Sequence, residues 1–239
     1  MYYPKHMNLK RPRAWLGHVP FAYDLVKSTK PKILVELGTH FGCSYFSFLD
    51  SVLENGLSTQ CYAIDTWEGD EQAGHYNNEI FEFVDRYNQK YSDHSNLLRM
   101  TFNEARAEFG NKKIDLLHID GLHTYDAVSN DFKTWTDAVS EEGVILFHDT
   151  SVIKTGFGVK KFWSELIEEY PTQCFNFEHS NGLGIFIKNK SKNINTFLYE
   201  NFGLEPEQLK AKYERNEKQL IKKMKKKDFI NRFLPILAR

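Results

Sequence analysis

The chain has 239 residues, of which 41% are hydrophobic, 26% charged and 15% aromatic. This length suits one α/β domain with an additional segment, and the composition excludes a disordered, collagen-like or coiled-coil chain. The 31 Lys and Arg residues nearly balance the 32 Asp and Glu residues, so the molecule as a whole has no charge that would attract it to nucleic acid or to a membrane surface.

Apolar runs alternate with helical periods between residue 14 and about residue 190, which is typical of a parallel sheet covered by helices on both faces. Strands are predicted at 32–37, 60–64, 97–100, 113–119 and 143–147. Helices are predicted at 21–28, 44–54, 81–91, 104–109, 126–139 and 162–169, with a loop at 66–75. The segments CFNFEH and GLGIFIK predict a closing hairpin, so the sheet has seven strands.

The charge is uneven along the chain, with 11 basic and 5 acidic residues from residue 205 onward. In this segment four apolar residues recur at helical spacing: Leu209, Tyr213, Leu220 and Met224. We therefore predict an α/β domain at 1–190 and a basic helical C-terminal extension at 191–239. We expect the helix to dock on its own domain or on a second copy of the chain, and RNA or an anionic surface is the alternative.

Three cysteines, Cys43, Cys61 and Cys174, lack the CxxC spacing of a zinc or redox site, so reduced thiols are expected. The N-terminal residues contain no apolar leader, and no apolar stretch is long enough to span a membrane. These features predict a cytoplasmic protein.

The motif ELGTHFG follows the first predicted strand, at the edge where open α/β sheets bind ligands. Gly38 and Gly42, with Thr39 between them, allow the backbone to approach a ligand closely. The motif lacks the full GxGxxG pattern of a dinucleotide site, and Glu36 would repel a pyrophosphate. The same carboxylate would attract a cationic ammonium or sulfonium group, and S-adenosylmethionine contains both.

A second acid, Asp65, ends the next strand, where a carboxylate can accept hydrogen bonds from both ribose hydroxyls. Together, Glu36 and Asp65 predict a site for a positively charged nucleoside. Trp67 follows, and its ring could stack on adenine or line the acceptor pocket, with core packing as the alternative. Asn103 and Glu104, after the third strand, are weaker candidates for the adenine amino group.

The fourth and fifth strands end in HIDGLHTY and HDT. These ends bring four acid or base groups to the edge that holds Glu36: Asp120, His123, His148 and Asp149. Methyl transfer to a hydroxyl requires loss of the hydroxyl proton, either to a histidine of near-neutral pKa such as His123 or with the help of a divalent ion. Asp120 and Asp149 offer the hard oxygen ligands that Mg²⁺ takes, whereas His118 is expected to be a core histidine.

Several long segments, VELGTHFGCSYFSFL, CYAIDTWEGDEQAGHY, IDLLHIDGLHTYDAVSNDFKTW, GVILFHDT and FGVKKFWSEL, together resemble class I S-adenosylmethionine-dependent methyltransferases. The resemblance is to the small-molecule type often associated with glycosyltransferases, and it covers roughly residues 14–190. It implies a Rossmann-like seven-stranded sheet whose last strand is antiparallel, and methylation of a hydroxyl on a sugar, glycan or related small molecule.

The family pattern also implies roles for individual residues. It assigns the methionine end of the cofactor to Glu36, Gly38 and Gly42 and the ribose to Asp65, and we add Thr39, Trp67 and Asp120 to the predicted cofactor-binding set. The acceptor side would be lined by the four residues Asp120, His123, His148 and Asp149. Related metal-dependent enzymes have a second acid where this chain has His148, so a Mg²⁺ ion at Asp120 and Asp149 is left open.

Two other functions would use parts of the same sequence. A cofactor-binding adaptor without catalysis would not need the histidines near the fourth and fifth strands. An RNA methyltransferase is disfavoured because the fourth strand ends in IDGLH rather than in the Asn/Asp-Pro-Pro-aromatic motif of adenine amino methylation. A glycosyltransferase partner would lie on another chain. The acceptor and the oligomeric state are left open, and the pocket walls are expected from loops 66–80 and 150–160 and from the segment around Trp15 and His18.

Overall fold

The computed structural model describes residues 14–237 except residue 73, with side chains described as far as residue 225. The N-terminal residues 1–13, where the sequence predicts no leader, lie outside this part. Seven strands form the main sheet: β1 (Ile33–Leu37), β2 (Gln60–Asp65), β3 (Ser95–Arg99), β4 (Ile114–Ile119), β5 (Val139–His148), β6 (Cys174–Phe177) and β7 (Leu183–Ile187). Eight α-helices accompany them within the described residues: α1 (Val19–Thr29), α2 (Cys43–Glu54), α3 (Glu79–Asn88), α4 (Phe102–Phe109), α5 (Tyr125–Thr136), α6 (Val159–Glu169), α7 (Ile194–Phe202) and α8 (Pro206–Leu237).

The sheet has the strand order β3-β2-β1-β4-β5-β7-β6. Strands β1 to β5 pair in parallel, and β7 runs antiparallel to both of its neighbours. The prediction of a seven-stranded α/β sheet with an antiparallel last strand is therefore confirmed. Strands β1 and β4 are adjacent at the centre of the sheet, and the strand order runs outward from them in opposite directions. In open α/β sheets the carboxyl ends of two such strands border a crevice.

Two apolar cores lie on the two faces of the sheet. Alternating residues of a central strand point to opposite faces, and Leu34 belongs to the core that includes α1 and α2 while Val35 belongs to the core that includes α5 and α6. Both residues are fully buried. This two-sided burial explains why the central strands read as continuous apolar runs in the sequence.

The structure differs from the predicted boundaries most clearly around β5 and in the loop after β2. Strand β5 begins at Val139 rather than at residue 143, because Val139 pairs with Ile114 before a register shift in the β4–β5 ladder. The predicted helix at 126–139 accordingly ends at Thr136. The predicted loop at 66–75 contains a short antiparallel pair, in which Gly69–Asp70 faces Gly74–His75.

The C-terminal helix α8 packs on the domain through its apolar stripe. Leu209, Tyr213 and Leu220 have no exposed surface and belong to the same core as α1 and α2. The Tyr213 hydroxyl also donates a hydrogen bond to Asp24 Oδ2 at 2.6 Å. The described part of the helix thus docks on its own domain, which is one of the two docking modes expected from the sequence.

Two further predictions concern membrane-spanning segments and the cysteines. Within the described part of the chain, no helix is both long and apolar enough to cross a membrane. The three cysteines are free thiols, and burial raises the pKa of the Cys43 thiol to about 12.

The docking of α8 predicts a stability effect. Replacing Leu209 with alanine should lower the free energy of unfolding by about 2–5 kcal/mol, because a fully buried leucine leaves a cavity. The exposed Lys218 on the same helix is the control, and Lys218→Ala should change stability by less than about 0.5 kcal/mol. Urea denaturation measures both, and equal effects would show that α8 does not dock as described.

Candidate active site

Backbone hydrogen bonds join the end of β1 to β2 and to β4. The Gly38 amide donates to the Ile64 carbonyl of β2, and the Asp120 amide donates to the Leu37 carbonyl, each at 2.9 Å. Gly38 has a φ of +89°, and a Cβ atom there would lie 2.1 Å from the Asp120 carbonyl oxygen. Only glycine fits this close approach of the two strand ends. The turn after β1 is thus positioned directly beside Asp120.

Glu36, two residues before Gly38, has a carboxylate with no exposed surface. Its Oε2 accepts a hydrogen bond from His118 Nδ1 at 2.8 Å, and its Oε1 has no partner among the described residues. Burial raises the pKa of Glu36, while the hydrogen bond from His118 and the nearby Ser44 hydroxyl act in the opposite direction. A buried carboxylate oxygen without a partner is costly, so a cationic group on a bound ligand fits this position.

Thr39 follows the Gly38 turn, and its hydroxyl is also buried without a partner among the described residues. Gly42 precedes α2 with a φ of +77°, and a Cβ atom there would lie 2.4 Å from the Phe46 ring. The turn therefore contains a buried hydroxyl without a described partner three residues after Glu36.

Asp65 ends β2 and holds the neighbouring loops through its carboxylate. Its Oδ2 accepts from the His40 amide at 2.9 Å, and its Oδ1 accepts from the Trp67 amide at 2.7 Å. A carboxylate has about four lone-pair positions. The two amides leave acceptor capacity on both oxygens, so Asp65 can still bind a pair of hydroxyl groups.

The Trp67 ring is buried in the core. Its ring is 1% exposed and packs against Phe81, and its Nε1 donates to the His40 carbonyl at 2.9 Å. The ring therefore has no free face for adenine in this structure, and core packing, the alternative expected from the sequence, describes it. The half-buried Tyr76 ring stacks on His40 with a centroid distance of 5.1 Å.

Trp15 and His18 are also buried, with exposed fractions of 2% and 0%. The sequence places this segment in the wall of the acceptor pocket. Helix α8 packs on the 3-10 turn at Leu16–His18, and the rings of Trp15 and His18 lie 6.0 and 5.8 Å from the His148 ring, so their part in a pocket wall stays a prediction.

Strands β4 and β5 bring the four predicted acid and histidine residues together. His123 Nε2 lies 2.8 Å from Asp149 Oδ2 and 3.8 Å from Asp120 Oδ1. His148 Nδ1 lies 3.3 Å from Asp120 Oδ1 and 3.5 Å from Asp149 Oδ2. Each carboxylate therefore faces both imidazole rings.

This pairing shifts all four pKa values toward the charged forms. Burial alone would lower the pKa of each histidine, but the two carboxylates outweigh it and raise the pKa of His148 to about 10 and that of His123 to about 9. Burial would raise the carboxyl pKa values, but the histidines hold the pKa of Asp120 and of Asp149 well below the usual range. The expectation of a near-neutral pKa for His123 is thus wrong for the site as described, because Asp149 binds its Nε2.

His123 is oriented by residues that the sequence reading does not identify. Its Nδ1 and its backbone amide both donate to Gln72 Oε1, at 2.9 and 3.1 Å. Gln72 Nε2 in turn donates to the Gly156 carbonyl at 3.1 Å, which fixes the orientation of the amide. The Phe157 ring lies parallel to the imidazole at a centroid distance of 4.7 Å. His123 Nε2 therefore points at the carboxylates.

The turn between β6 and β7 supports the cluster from the other side. Asn181 Nδ2 donates to Asp149 Oδ1 at 2.8 Å, and the Ser180 carbonyl accepts from His148 Nε2 at 3.2 Å. The Ser180 hydroxyl donates to Glu217 of α8 at 2.6 Å. The docked helix is thus connected to the cluster through a single turn.

The same cluster offers a set of possible metal ligands. Asp120, His123 and Asp149 each present one ligand atom, and these atoms lie within 4.8 Å of one another. A metal-binding histidine normally donates its other ring N–H to an acceptor, and Gln72 Oε1 provides that acceptor for His123. The donor set therefore fits a divalent ion with two carboxylates and one imidazole.

Comparison with known proteins agrees with this architecture. Residues 35–150 match the model of a methyltransferase domain. Over 177 residues the chain is 46% identical to y4gI, an uncharacterized protein of Sinorhizobium fredii, and the match covers 74% of this chain. The same match covers 19% of y4gI, so the chain spans about a fifth of the length of that relative.

Solved structures of similar fold include three methyltransferases. The O-methyltransferase of Bacillus cereus in complex with S-adenosylhomocysteine has a TM-score of 0.54 at 15% identity, covering 77% of this chain and 84% of that one. The methyltransferase PaMTH1 of Podospora anserina, also bound to S-adenosylhomocysteine, has a TM-score of 0.52 at 15% identity, covering 73% and 87%. TomG of Streptomyces achromogenes, an O-methyltransferase of tomaymycin synthesis in complex with S-adenosylmethionine, has a TM-score of 0.52 at 11% identity, again covering 73% and 87%.

At these identities the solved structures show the fold alone. Together with the match of residues 35–150 to a methyltransferase-domain model, they show that the chain has the fold of class I methyltransferases.

The close approach of β1 and β4 predicts the effect of one substitution. Gly38→Ala should lower the free energy of unfolding by about 2–4 kcal/mol, because the added Cβ meets the Asp120 carbonyl and the backbone is left-handed. Gly56→Ala is the matched control, since Gly56 has a φ of +59° but nothing within 4 Å of its Cβ position. The control should cost about 1–2 kcal/mol. If chemical denaturation showed the same loss of unfolding free energy for both variants, the close contact between Gly38 and the Asp120 carbonyl would be contradicted.

Proposed function

We propose that the protein is an S-adenosylmethionine-dependent methyltransferase that transfers a methyl group to a hydroxyl of a sugar, glycan or related small molecule. The main support is the arrangement at one edge of the sheet, where a buried carboxylate with an unpartnered oxygen lies beside a second strand-end acid and a cluster of two acids and two histidines. The methyltransferase family match supports the transferred group, and the resemblance in sequence suggests the class of acceptor.

The cofactor half of the site is formed by Glu36, the Gly38 turn and Asp65. The Glu36 carboxylate supplies the negative charge that a methionine ammonium requires, and its burial strengthens that attraction because water screens it little. Asp65 has acceptor capacity left for the ribose hydroxyls after binding two backbone amides. Bound S-adenosylmethionine supplies an electrophilic methyl group on a sulfonium.

The acceptor half is formed by Asp120, His123, His148 and Asp149. Methyl transfer forms an oxygen–carbon bond while the carbon–sulfur bond breaks, and the hydroxyl proton must leave the acceptor oxygen. Positioning supplies much of the acceleration of such an in-line reaction. Because Asp149 holds His123 Nε2, His123 can take the proton only after its own N–H has been given up.

A divalent ion would be the alternative to His123 as a base, because His123 Nε2 would then be one of the ligands of the ion. Asp120, His123 and Asp149 would hold it, and the ion would lower the pKa of a bound hydroxyl. The two carboxylates are ligands that Mg²⁺ takes, and the imidazole also suits first-row transition metals such as Mn²⁺.

The cytoplasmic location, the domain boundary near residue 190 and a glycosyltransferase partner stay predictions from the sequence.

The proposed activity is tested directly by a methyl-acceptor screen. The protein is incubated with S-adenosylmethionine bearing an isotopically labelled methyl group and a panel of nucleotide sugars and glycans, and the products are analysed by mass spectrometry. A labelled methyl group on an acceptor oxygen would support the proposal. Label on nitrogen or on RNA would contradict it.

Two substitutions separate the two halves of the site. Asp65→Ala should raise the KM for S-adenosylmethionine by about tenfold to a hundredfold, because hydrogen bonds from the ribose to a charged acceptor are lost. His123→Ala should instead lower kcat by about a hundredfold or more with little change in that KM. Asp65→Asn, which keeps one acceptor oxygen, is the matched control and should have a smaller effect than Asp65→Ala. Equal changes in both constants from both alanine variants would rule out these roles.

Metal removal tests the ion. Dialysis against EDTA should abolish methyl transfer, and Mg²⁺ or Mn²⁺ should restore it, if Asp120, His123 and Asp149 hold a divalent ion. Binding of S-adenosylhomocysteine, measured by calorimetry, serves as the control and should survive EDTA, since Glu36 and Asp65 lie outside the ligand set. Full activity after EDTA would remove the three residues as metal ligands.

A further inference from the structure

A buried chain of hydrogen bonds connects Trp15, His118 and Glu36. Trp15 Nε1 lies 3.2 Å from His118 Nε2, and His118 Nδ1 lies 2.8 Å from Glu36 Oε2. Glu36 and His118 are partners in the β1–β4 register, so their side chains extend from the same face of the sheet. Trp15 is 2% exposed and the other two side chains have no exposed surface.

The donors and acceptors in this chain can be arranged in one way. An indole N–H can only donate, so Nε2 of His118 must accept from Trp15. The ring proton of the neutral imidazole then lies on Nδ1, where it can be donated to Glu36 Oε2. Trp15 thereby fixes the tautomer of His118, and His118 fixes one oxygen of the carboxylate.

Packing holds the ring of Trp15 in place. It makes edge-to-face contacts with His118 at a centroid distance of 5.1 Å, with His18 at 5.6 Å and with Phe48 at 5.8 Å. His118 also meets Phe48 edge-to-face at 5.8 Å. With one ring nitrogen bound on each side, the imidazole cannot rotate without losing a buried hydrogen bond, which is costly among side chains that have almost no exposed surface.

The consequence for Glu36 is an oriented carboxylate. Oε2 is committed to His118, whereas Oε1 has no partner among the described residues. A satisfied core histidine, the role expected from the sequence, would explain the bond to Trp15. That role does not explain why Glu36, the acid that His118 binds, is buried with one oxygen that has no described partner.

We propose that His118, held by Trp15, is a positioning residue that fixes the Glu36 carboxylate so that Oε1 receives the ammonium group of the cofactor's amino-acid end. This inference rests on the proposed function and deepens it. It assigns part of the affinity for the amino-acid end of the cofactor to Trp15 and His118, which do not themselves contact the ligand. The ribose and adenine do not depend on this chain of hydrogen bonds.

A pair of ligands tests the proposal. S-adenosylhomocysteine contains the amino-acid end, and 5′-methylthioadenosine lacks it while keeping the nucleoside. Calorimetry gives the Kd of each ligand for the full-length wild-type protein, His118→Leu, His118→Asn and Trp15→Phe. Leucine fills a similar volume without a donor, asparagine keeps an N–H close to the position of Nδ1, and phenylalanine keeps a packed ring without the indole N–H.

We expect His118→Leu to weaken S-adenosylhomocysteine by about tenfold to a hundredfold, which is typical of losing a hydrogen bond to a charged group. The same variant should bind 5′-methylthioadenosine within about threefold of wild type. His118→Asn should recover most of the lost affinity, and Trp15→Phe should have an intermediate effect on S-adenosylhomocysteine alone. Thermal unfolding of each variant verifies that it is folded at the temperature of the titration.

The outcomes separate this inference from the proposed function. If the wild-type protein binds neither ligand, the proposed function fails and the positioning role fails with it. If the wild-type protein binds both ligands and His118→Leu weakens both equally, or neither, His118 has a general structural role and the inference alone is wrong. Should His118→Leu not fold, Trp15→Phe decides: weaker binding of S-adenosylhomocysteine alone would support the inference, and an equal effect on both ligands, or no effect, would contradict it.

Discussion

The site depends on the burial of one carboxylate at the end of a central strand. Glu36 is fully buried with only one of its oxygens bound by a described hydrogen-bond partner, which is an unfavourable state for a charged group in isolation. The surrounding structure maintains it, since Gly38 allows β1 to approach β4 closely and His118 binds the carboxylate from the neighbouring strand. A cationic ligand would relieve that cost, so affinity and fold are linked at this position.

Asp120 joins the two halves of the site. Its amide is bound to the Leu37 carbonyl and its own carbonyl lies against Gly38, whereas its side chain faces His123 and His148. Movement of the β4 end would therefore affect the cofactor turn and the acid–histidine cluster together. The cluster itself contains two carboxylates and two histidines whose pKa values favour the charged forms, which balances the charge before any ligand binds.

The sequence predicts the sheet and the strand ends well because both follow from local patterns. Apolar runs identify the central strands, and parallel strands end at one edge, so Glu36, Asp65, Asp120 and Asp149 could be grouped without coordinates. The role of Gln72 could not be predicted, since it contacts His123 across 51 positions of chain through the conformation of a loop. The burial of Trp67 depends on the packing of α3, and the raised pKa of His123 depends on distances of a few ångströms to Asp149. No sequence pattern specifies those distances.

A crystal structure of the protein with S-adenosylhomocysteine would give the distance between Glu36 Oε1 and the nearest ligand nitrogen. We predict that the ammonium lies within about 2.7–3.2 Å of Oε1, at ordinary hydrogen-bond length. A ligand bound with its amino-acid end away from Glu36, while that carboxylate stays buried and unpartnered, would contradict it.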